Sequence, residues 1–350
     1  MINLKEILPV IMSNQFERLA VIDDYISFIW TSRYYAVGDF ELCLDVNNDN
    51  INLIKKDYFV VRDDDENVGI IEEIKIERND DGQEILIVSG RFLAGILERR
   101  IIATQTTVTG KVSACITKLI QDNVTAPAIS ARKINNFIIG SFTVNTTMEA
   151  QYTGKNLLET ISNICETYSL GFKITLNSNN QFVFQLYQGV DRTYDQNVNP
   201  WVIFSDQYDN LLSSEYEENY RTLSTAALVA GEGEGLDRKT VWVSDGSTGI
   251  DRREVYVDQR NVRSNDGDIS ASEYTKLLQE AGKEALTKYT TAFTGTVYFD
   301  NVVYKQDINL GDLCVIENSK WGIYLNSRLV EVIESVSETG EYSIVPTFGV

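Results

Sequence analysis

A mainly β chain carrying an α+β insertion is the fold class this sequence predicts, and three observations predict it. The first is an internal echo. Asp57-Tyr-Phe-Val-Val-Arg62, Ile70-Ile-Glu-Glu-Ile74 and Gly82-Gln-Glu-Ile-Leu-Ile-Val88 recur in the same order as Asp312-Leu-Cys-Val-Ile-Glu317, Leu329-Val-Glu-Val-Ile333 and Gly340-Glu-Tyr-Ser-Ile-Val345. Each copy reads as apolar strand, turn, strand carrying a glutamate, turn with glycine, strand, which suggests two related β-modules flanking inserted sequence. The second is composition. Only 4 prolines stand against 18 tyrosines and 14 phenylalanines, in a chain rich in Val, Ile and Thr, and these residue types favour strands. The third is that helical periodicity is confined to a few short stretches.

Residues 1–90 alternate like an antiparallel sheet and form the first module. Val21–Trp30 reads as a strand, and Asp39–Val46 places Phe40, Leu42 and Leu44 on one face. Turns are expected at Asn47–Asn50, Asp63–Asn67 and Asn79–Gly82. Residues 91–200 form the α+β insertion. Arg91–Glu98 suits a short helix. Val112, Cys115, Ile116, Leu119 and Ile120 mark a second helix, and Leu157, Leu158, Ile161, Ile164, Cys165 and Tyr168 a third. Gly171 is the expected left-handed residue ending it. Phe172–Leu176 and Gln181–Tyr187 make a hairpin across Asn177–Asn180. Residues 201–350 form the second module. One long helix, about 270–290, interrupts it. It opens on the capping box Ser270-Ala-Ser-Glu273 and shows Tyr274, Leu277, Leu278, Ala281 and Ala285 as its apolar stripe.

At 350 residues the chain can bury several cores. No apolar run approaches the ~20 residues needed to cross a bilayer, and the first residues lack the pattern of a secretory signal, so a cytoplasmic origin is expected. Cys43, Cys115, Cys165 and Cys314 are widely spaced among apolar residues and read as buried free thiols. The formal net charge of −20 disfavours sequence-specific nucleic-acid binding. Histidine is absent, which removes Ser-His-Asp and Cys-His catalysis and imidazole-ligated metals.

Carboxylate chemistry is what composition leaves open. Glu215, Glu217 and Glu218 are adjacent, and paired carboxylates can hydrolyse glycosides. In so acidic a chain an exposed strand face is the plainer reading. Asp63–Gly69 has oxygens at alternating positions like a calcium loop, yet Val68 stands where glycine is required and Ile74 where the bidentate glutamate is required. An acidic turn is favoured, with a calcium ion as the alternative. Gly231-Glu-Gly-Glu-Gly235 lies between two strand-like runs, so a hairpin or bulge outweighs a phosphate loop. No catalytic, cofactor or metal residues are expected. The candidate contact residues are Glu232, Glu234, Asp237, Arg238 and Lys239 in that loop, with Asp251, Arg252 and Arg253 ahead of the next strand. Arginine forks there suit carboxylates on a neighbouring subunit.

The segments Asp209–Asn219, Ala227–Gly235, Arg238–Thr240 and Gly249–Val255, with Arg33-Tyr34, Gly38–Leu42, Gly90–Ile102 and Val345–Gly349, resemble the siphovirus tail proteins of the ReqiPepy type. These belong with phage baseplate hubs and the N-terminal part of tail-associated lysozymes. The resemblance covers nearly the whole chain. It implies a homotrimer whose chains each carry two tail-tube-like β-barrels and small inserted α/β domains, so that six modules meet a hexameric tube. It implies distal tail, tube, tape-measure and tip or fibre proteins as partners, and the virion tail tip as location. Longer relatives continue into a peptidoglycan-degrading or spike domain; a sequence ending at Val350 sets the expectation of no such enzyme. The rival readings are a carboxylate-dependent cell-wall hydrolase and a carbohydrate receptor-binding module using exposed Trp201, Trp242 and Trp321.

Overall fold

Why the echo exists is visible in the strand order of the computed structural model, which describes residues 7–78, 82–286, 290–297 and 302–349. In the first layer Ser27–Arg33 pairs with Asp39–Asp45, which pairs with Glu84–Arg91, which pairs with Glu73–Arg78, all antiparallel. Just before Glu73 the chain kinks, and Val68–Ile70 pairs instead with Phe59–Val61. In the second layer Leu211–Asn219 pairs with Thr290–Val297, then Tyr342–Gly349, then Ile323–Val336, whose first half pairs with Leu313–Asn318. Both layers therefore place their first, second, fifth, fourth and third strands side by side in that order. The echoed segments occupy corresponding places. The flanking strands differ: Val10–Met12 runs antiparallel to Phe59–Val61, whereas Ile203–Ser205 runs parallel to Leu313–Asn318.

Two separate barrels do not form. Among the described residues no sheet closes; instead the second layer and four strands of the first merge into one open ten-stranded sheet, while Phe59–Val61 and Val68–Ile70 stay in a separate four-stranded sheet with Val10–Met12 and Arg18–Val21. The cause is the 14-residue strand Ile323–Val336. Its second half offers one edge to Tyr342–Gly349 and the other to the first layer, with Glu331↔Arg33, Glu334↔Trp30 and Val336↔Phe28 as register partners. An edge satisfied by the other layer cannot also close its own.

Alternation decides what lies on each face. Phe28, Trp30, Phe40, Leu42, Leu44, Leu86 and Val88 point inward into the first layer's core, as the sequence pattern of Phe40, Leu42 and Leu44 requires. Phe204, Phe293, Leu329, Val332, Ile344 and Phe348 form the second layer's core. At the junction an ionic cluster replaces apolar packing. The fully buried Arg62 side chain lies between Asp64 and Glu334, 5.6 Å from the Trp30 ring centre. Glu334 also accepts from Lys305 Nζ at 3.2 Å and Tyr342 Oη at 2.9 Å. The two fully buried charges, Arg62 and Glu334, are thus each paired, as burial demands, while Asp64 and Lys305 reach the surface.

The inserted segment forms a third core around the helices Val112–Ile120 and Leu157–Thr167 and the hairpin Gly171–Leu176/Phe182–Tyr187. A short 3₁₀ helix spans Leu93–Arg99. The third helix ends earlier than Gly171 suggested. Ser169 takes the left-handed conformation at φ 53°, and Leu170 N–H donates to Cys165 O, the closing pattern of such helix ends. Gly171 has another reason to be glycine: a Cβ there would sit 2.4 Å from the Tyr187 ring and 2.5 Å from Tyr34. Gly233 does take positive φ, and a Cβ on it would lie 2.6 Å from Asp237 O.

Between Leu211–Asn219 and Thr290–Val297 a further small unit is inserted. Ala226–Ala230 pairs antiparallel with Thr240–Ser244 and parallel with Glu254–Asp258. The helix Ala271–Ala285 begins with both hydrogen bonds of the capping box in place, and Tyr274, Leu277 and Leu278 pack on Ala227 and Val229. The helix stops at Ala285, where Leu286 turns extended, short of the expected 290, and Thr290 already begins a strand; residues 287–289 lie outside the described set, as do 79–81 of the expected turn.

Candidate interaction surface

The small three-stranded sheet exposes one face by simple alternation. Val241, Val243, Val255 and Val257 turn toward the helix, so Trp242 and Tyr256 turn outward. Leu228 on the central strand is the register partner of both. The result is an outward Trp242–Leu228–Tyr256 row. Two loops of the same unit, at opposite ends of the sheet, carry the apolar residues Leu236 and Ile250, which are 106% and 95% exposed. Exposed apolar residues concentrated on one small unit mark a candidate interaction surface.

The candidate charged residues surround this row, and most arginine forks are already occupied within the chain. Arg238 donates to Gly231 O and Ala230 O at 3.0 Å, to Tyr256 Oη at 2.8 Å and to Asp258 Oδ1 at 2.5 Å. It buckles the 231–239 loop onto the sheet edge. Arg260 and Arg238 together hold the Asp258 carboxyl far below its ordinary range. Arg252 lies 4.8 Å from the Trp242 ring centre and pairs with Glu254 at 2.6 Å. The fork holds the indole face while leaving its edge exposed. Arg253 donates to Tyr220 O, and its N–H to Thr225 Oγ1. Glu232 accepts from Ser264 N–H at 3.0 Å, and Tyr274 Oη accepts from Glu232 N–H at 2.8 Å. Hydrogen bonds from Ser264 hold the Glu232 carboxyl below its usual range. Glu234, Asp237, Lys239 and Asp251 are exposed around the rim. Sequence reasoning found this rim through its charges. It missed Leu228, Leu236, Ile250 and Tyr256, although the alternation of 240–244 and 254–258 carries the signal.

The other sequence candidates have structural roles. Asp63 pairs with Arg18, Asp64 with Arg62, Asp65 with Lys305 and Glu66 with Lys173. Asp65 also caps the turn through Asn67 N–H at 2.7 Å. Each carboxylate that a calcium ion would need already holds a cation of the chain. No cluster suited to a metal occurs among the described residues. Glu218 accepts from Tyr216 Oη at 2.5 Å and Tyr220 Oη at 2.8 Å, which lowers its pKa; a glycosidase acid needs the opposite shift. Trp201, Trp242 and Trp321 are all about half exposed. Trp201 packs edge-on against Tyr194, 5.1 Å between ring centres, while Trp242 stands on the small sheet. Cys115, Cys165 and Cys314 are buried and Cys43 is half-buried, all as free thiols.

The large sheet presents a second surface. Its face away from the cores is partly exposed, with Glu41, Asp45, Glu215 and Glu217 open and Asp39 and Glu331 half-buried. It carries Asp39, Glu41, Asp45, Glu73, Glu77, Glu215, Glu217 and Glu331 against Arg33, Lys75 and Arg91.

No helix among the described residues is long and apolar enough to cross a membrane. A search of curated protein sequences finds no match. Among solved structures, the tail protein from Neisseria meningitidis MC58 aligns over 99% of this chain and 97% of its own at 14% identity and TM-score 0.59. The 43 kDa tail protein of prophage MuSo2 from Shewanella oneidensis aligns over 97% and 98% at 12% identity and TM-score 0.58. The prophage tail protein gp18 from Listeria monocytogenes aligns over 98% and 94% at 12% identity and TM-score 0.54. At such identities the likeness shows the fold, that of phage tail proteins. A family model described as siphovirus ReqiPepy6 Gp37-like protein matches residues 8–350, and the chain belongs to that family of tail proteins.

Proposed function

We propose that this protein is the structural, non-enzymatic baseplate hub of a siphophage or tail-derived particle, located at the virion tail tip. Three copies would assemble, each contributing two equivalent β-layers, so that a three-fold object meets a hexameric tail tube or distal tail protein above it. The observation that carries the reading is the duplicated strand order of the two layers, which are joined where Ile323–Val336 pairs with Ser27–Arg33. A homotrimer can match six-fold symmetry only if each chain offers the same surface twice. The tape-measure protein and DNA would pass through the ring, and tip or fibre proteins would attach below.

The exposed acids on the outer face of the sheet support this reading. Turned toward the channel, that face would give duplex DNA few of the lysine and arginine contacts that release counterions, so DNA would pass without adhering. The row Trp242–Leu228–Tyr256 with Leu236 and Ile250 is the surface we assign to a neighbouring tail protein, its charged rim setting orientation. Mass measurement of the purified chain tests the reading directly: a trimer is expected, and a stable dimer contradicts it. Zymography against cell walls tests the hydrolase alternative, and a clear lysis band would overturn the structural role.

A further inference from the structure

One carboxylate on the second layer has tyrosines around it and no cation. Glu317 is half-buried in Leu313–Asn318, on the face turned away from the core that Cys314 and Ile316 enter. Its register partners are Tyr324 on one side and Ser205 on the other. Tyr208 follows Ser205 in a turn closed by Tyr208 N–H donating to Ser205 O. Tyr194 lies beside Tyr324, with the rings within 17° of parallel and 6.3 Å between centres. Burial, and after it the Glu317 charge, raises the pKa of both Tyr194 and Tyr324, and no cation opposes either shift. Among the described residues the Glu317 side chain makes no ion pair or hydrogen bond, and the hydroxyls of Tyr194, Tyr208 and Tyr324 make none either.

These rings are ordered before anything binds. The Gln196 side chain accepts from Val198 N–H and Asn199 N–H at 2.7 Å and donates to Thr193 O and Asn199 O at 3.1 Å. Trp201 Nε1 donates to Gln196 O at 3.0 Å, and its ring meets Tyr194 edge-on. Asn326 donates to Asp195 at 2.8 Å, next to Tyr194. The loop carrying Tyr194 is thus tied down on both sides of it, so an incoming group has little left to order. Tyr208 and Tyr324 are nonetheless 54% and 55% exposed, which leaves their faces open to a partner.

Aromatic faces attract cations, and a lone carboxylate among them selects a cation that also donates hydrogen bonds. A guanidinium meets both demands. Its plane lies on a ring while its N–H fork reaches the carboxylate, and it sheds water more readily than an ammonium. Tyrosine and arginine are also the residues enriched where proteins meet. The chain's own arginines are mostly committed: Arg33, Arg62, Arg91, Arg192, Arg238 and Arg252 each already hold a carboxylate. A second copy is therefore a poor donor. We propose that Tyr194, Tyr208 and Tyr324 around Glu317 form a docking surface for a different protein, which presents an arginine side chain to it.

Ligand-observed NMR on the full-length chain, with the peptide Ac-Gly-Arg-Gly-amide as probe, tests the chemistry. Saturable binding is expected. It should be about tenfold weaker for the citrulline peptide, which keeps the shape and loses the charge, and about tenfold weaker for Glu317→Gln. Tyr324→Leu should weaken it severalfold, and Glu215→Gln, at an exposed acid elsewhere on the layer, should leave it unchanged. Equal binding of the arginine and citrulline peptides overturns the proposal. So does equal weakening by Glu317→Gln and Glu215→Gln, because the net charge of −20 would then account for it. Glu317→Arg tests the docking: incorporation into assembled tails should fall about tenfold at an unchanged melting temperature. Undiminished incorporation overturns the docking role. A change in the chain's own oligomeric state with Glu317→Arg would make a second copy the occupant and overturn the assignment to a different protein.

Discussion

Ile323–Val336 and the pair Val68–Ile70 with Glu73–Arg78 hold the same place in their layers, yet they differ in continuity and burial. The first is one 14-residue strand flanked on both edges; the second is kinked at residues 71–72 and bare on one edge. The inward positions of the first hold Val332, Glu334 and Val336, all buried. Those of the second hold Ile74 and Ile76, both exposed. Burial is thus set by the neighbouring strand more than by residue type: a glutamate is buried where the junction is complete, and isoleucines are exposed where it is open. The glutamate survives there because Arg62, Lys305 and Tyr342 converge on it.

That contrast can be broken most forcefully at Glu334. Replacing Glu334 with Ala leaves Arg62 buried with one carboxylate fewer, and chemical denaturation should register a loss of about 3–5 kcal/mol. Changing Arg62 and Glu334 together to Met should cost far less, since no stranded charge is left. A loss for the double change equal to that of the single one would mean the cluster acts by packing alone.

A second, intermediate effect concerns how the small inserted unit sits on the α+β segment. Tyr152 Oη donates to Glu284 at 2.6 Å, and Tyr168 Oη donates to Glu280. Burial, with Glu280 close by, raises the Glu284 pKa to about 7, opposed by Tyr152 and Lys155. The unfolded carboxyl titrates near ~4.3. Between these values the folded chain keeps a proton that the unfolded chain has released. Stability is therefore full below the unfolded pKa and falls as pH rises through about 7, by at most about 4 kcal/mol. Thermal melts across that range should show the slope, and Glu284→Gln should flatten it.

The smallest effects sharpen the comparison from the open side. Ile76→Thr, on the strand with one bare edge, should change the stability of the unassembled chain by less than about 0.5 kcal/mol, because nothing covers it. Leu236→Ser should be equally silent in melting and should reduce incorporation into assembled tails. A large melting shift for Ile76→Thr would mean the edge is already covered within one chain.

Much of the fold was legible. Capping residues Ser270 and Glu273, the Leu157–Cys165 stripe and the alternation of Phe40, Leu42 and Leu44 act within a few residues of themselves, so a linear reading captures them. The echo was legible too, because equal strand order imposes equal apolar spacing. What stayed hidden were relations between distant strands. Nothing local in Glu334 or Trp30 announces that they are cross-strand partners, so the echo read as two separate modules, and the resemblance made barrels of them. The interaction surface was half legible. Charges at Glu232–Lys239 and Asp251–Arg253 pointed to the place, while exposure of Leu236 and Ile250 depends on loop direction, which the residues do not encode locally.

The internal junction also bears on the order of events during synthesis. Arg33 and Glu331, which pair at 2.6 Å, are separated by 298 residues. The edge of Ser27–Arg33 is made well before its partner and stays unmatched until Ile323–Val336 leaves the ribosome. Such distant pairing slows folding and leaves a sticky edge exposed meanwhile. While that edge is open, the nascent Ser27–Arg33 strand can capture the finished Ile323–Val336 of a neighbour, giving a domain-swapped product with the same junction. Dilution during translation, by favouring the chain's own late strand, should then raise the yield of unswapped chains.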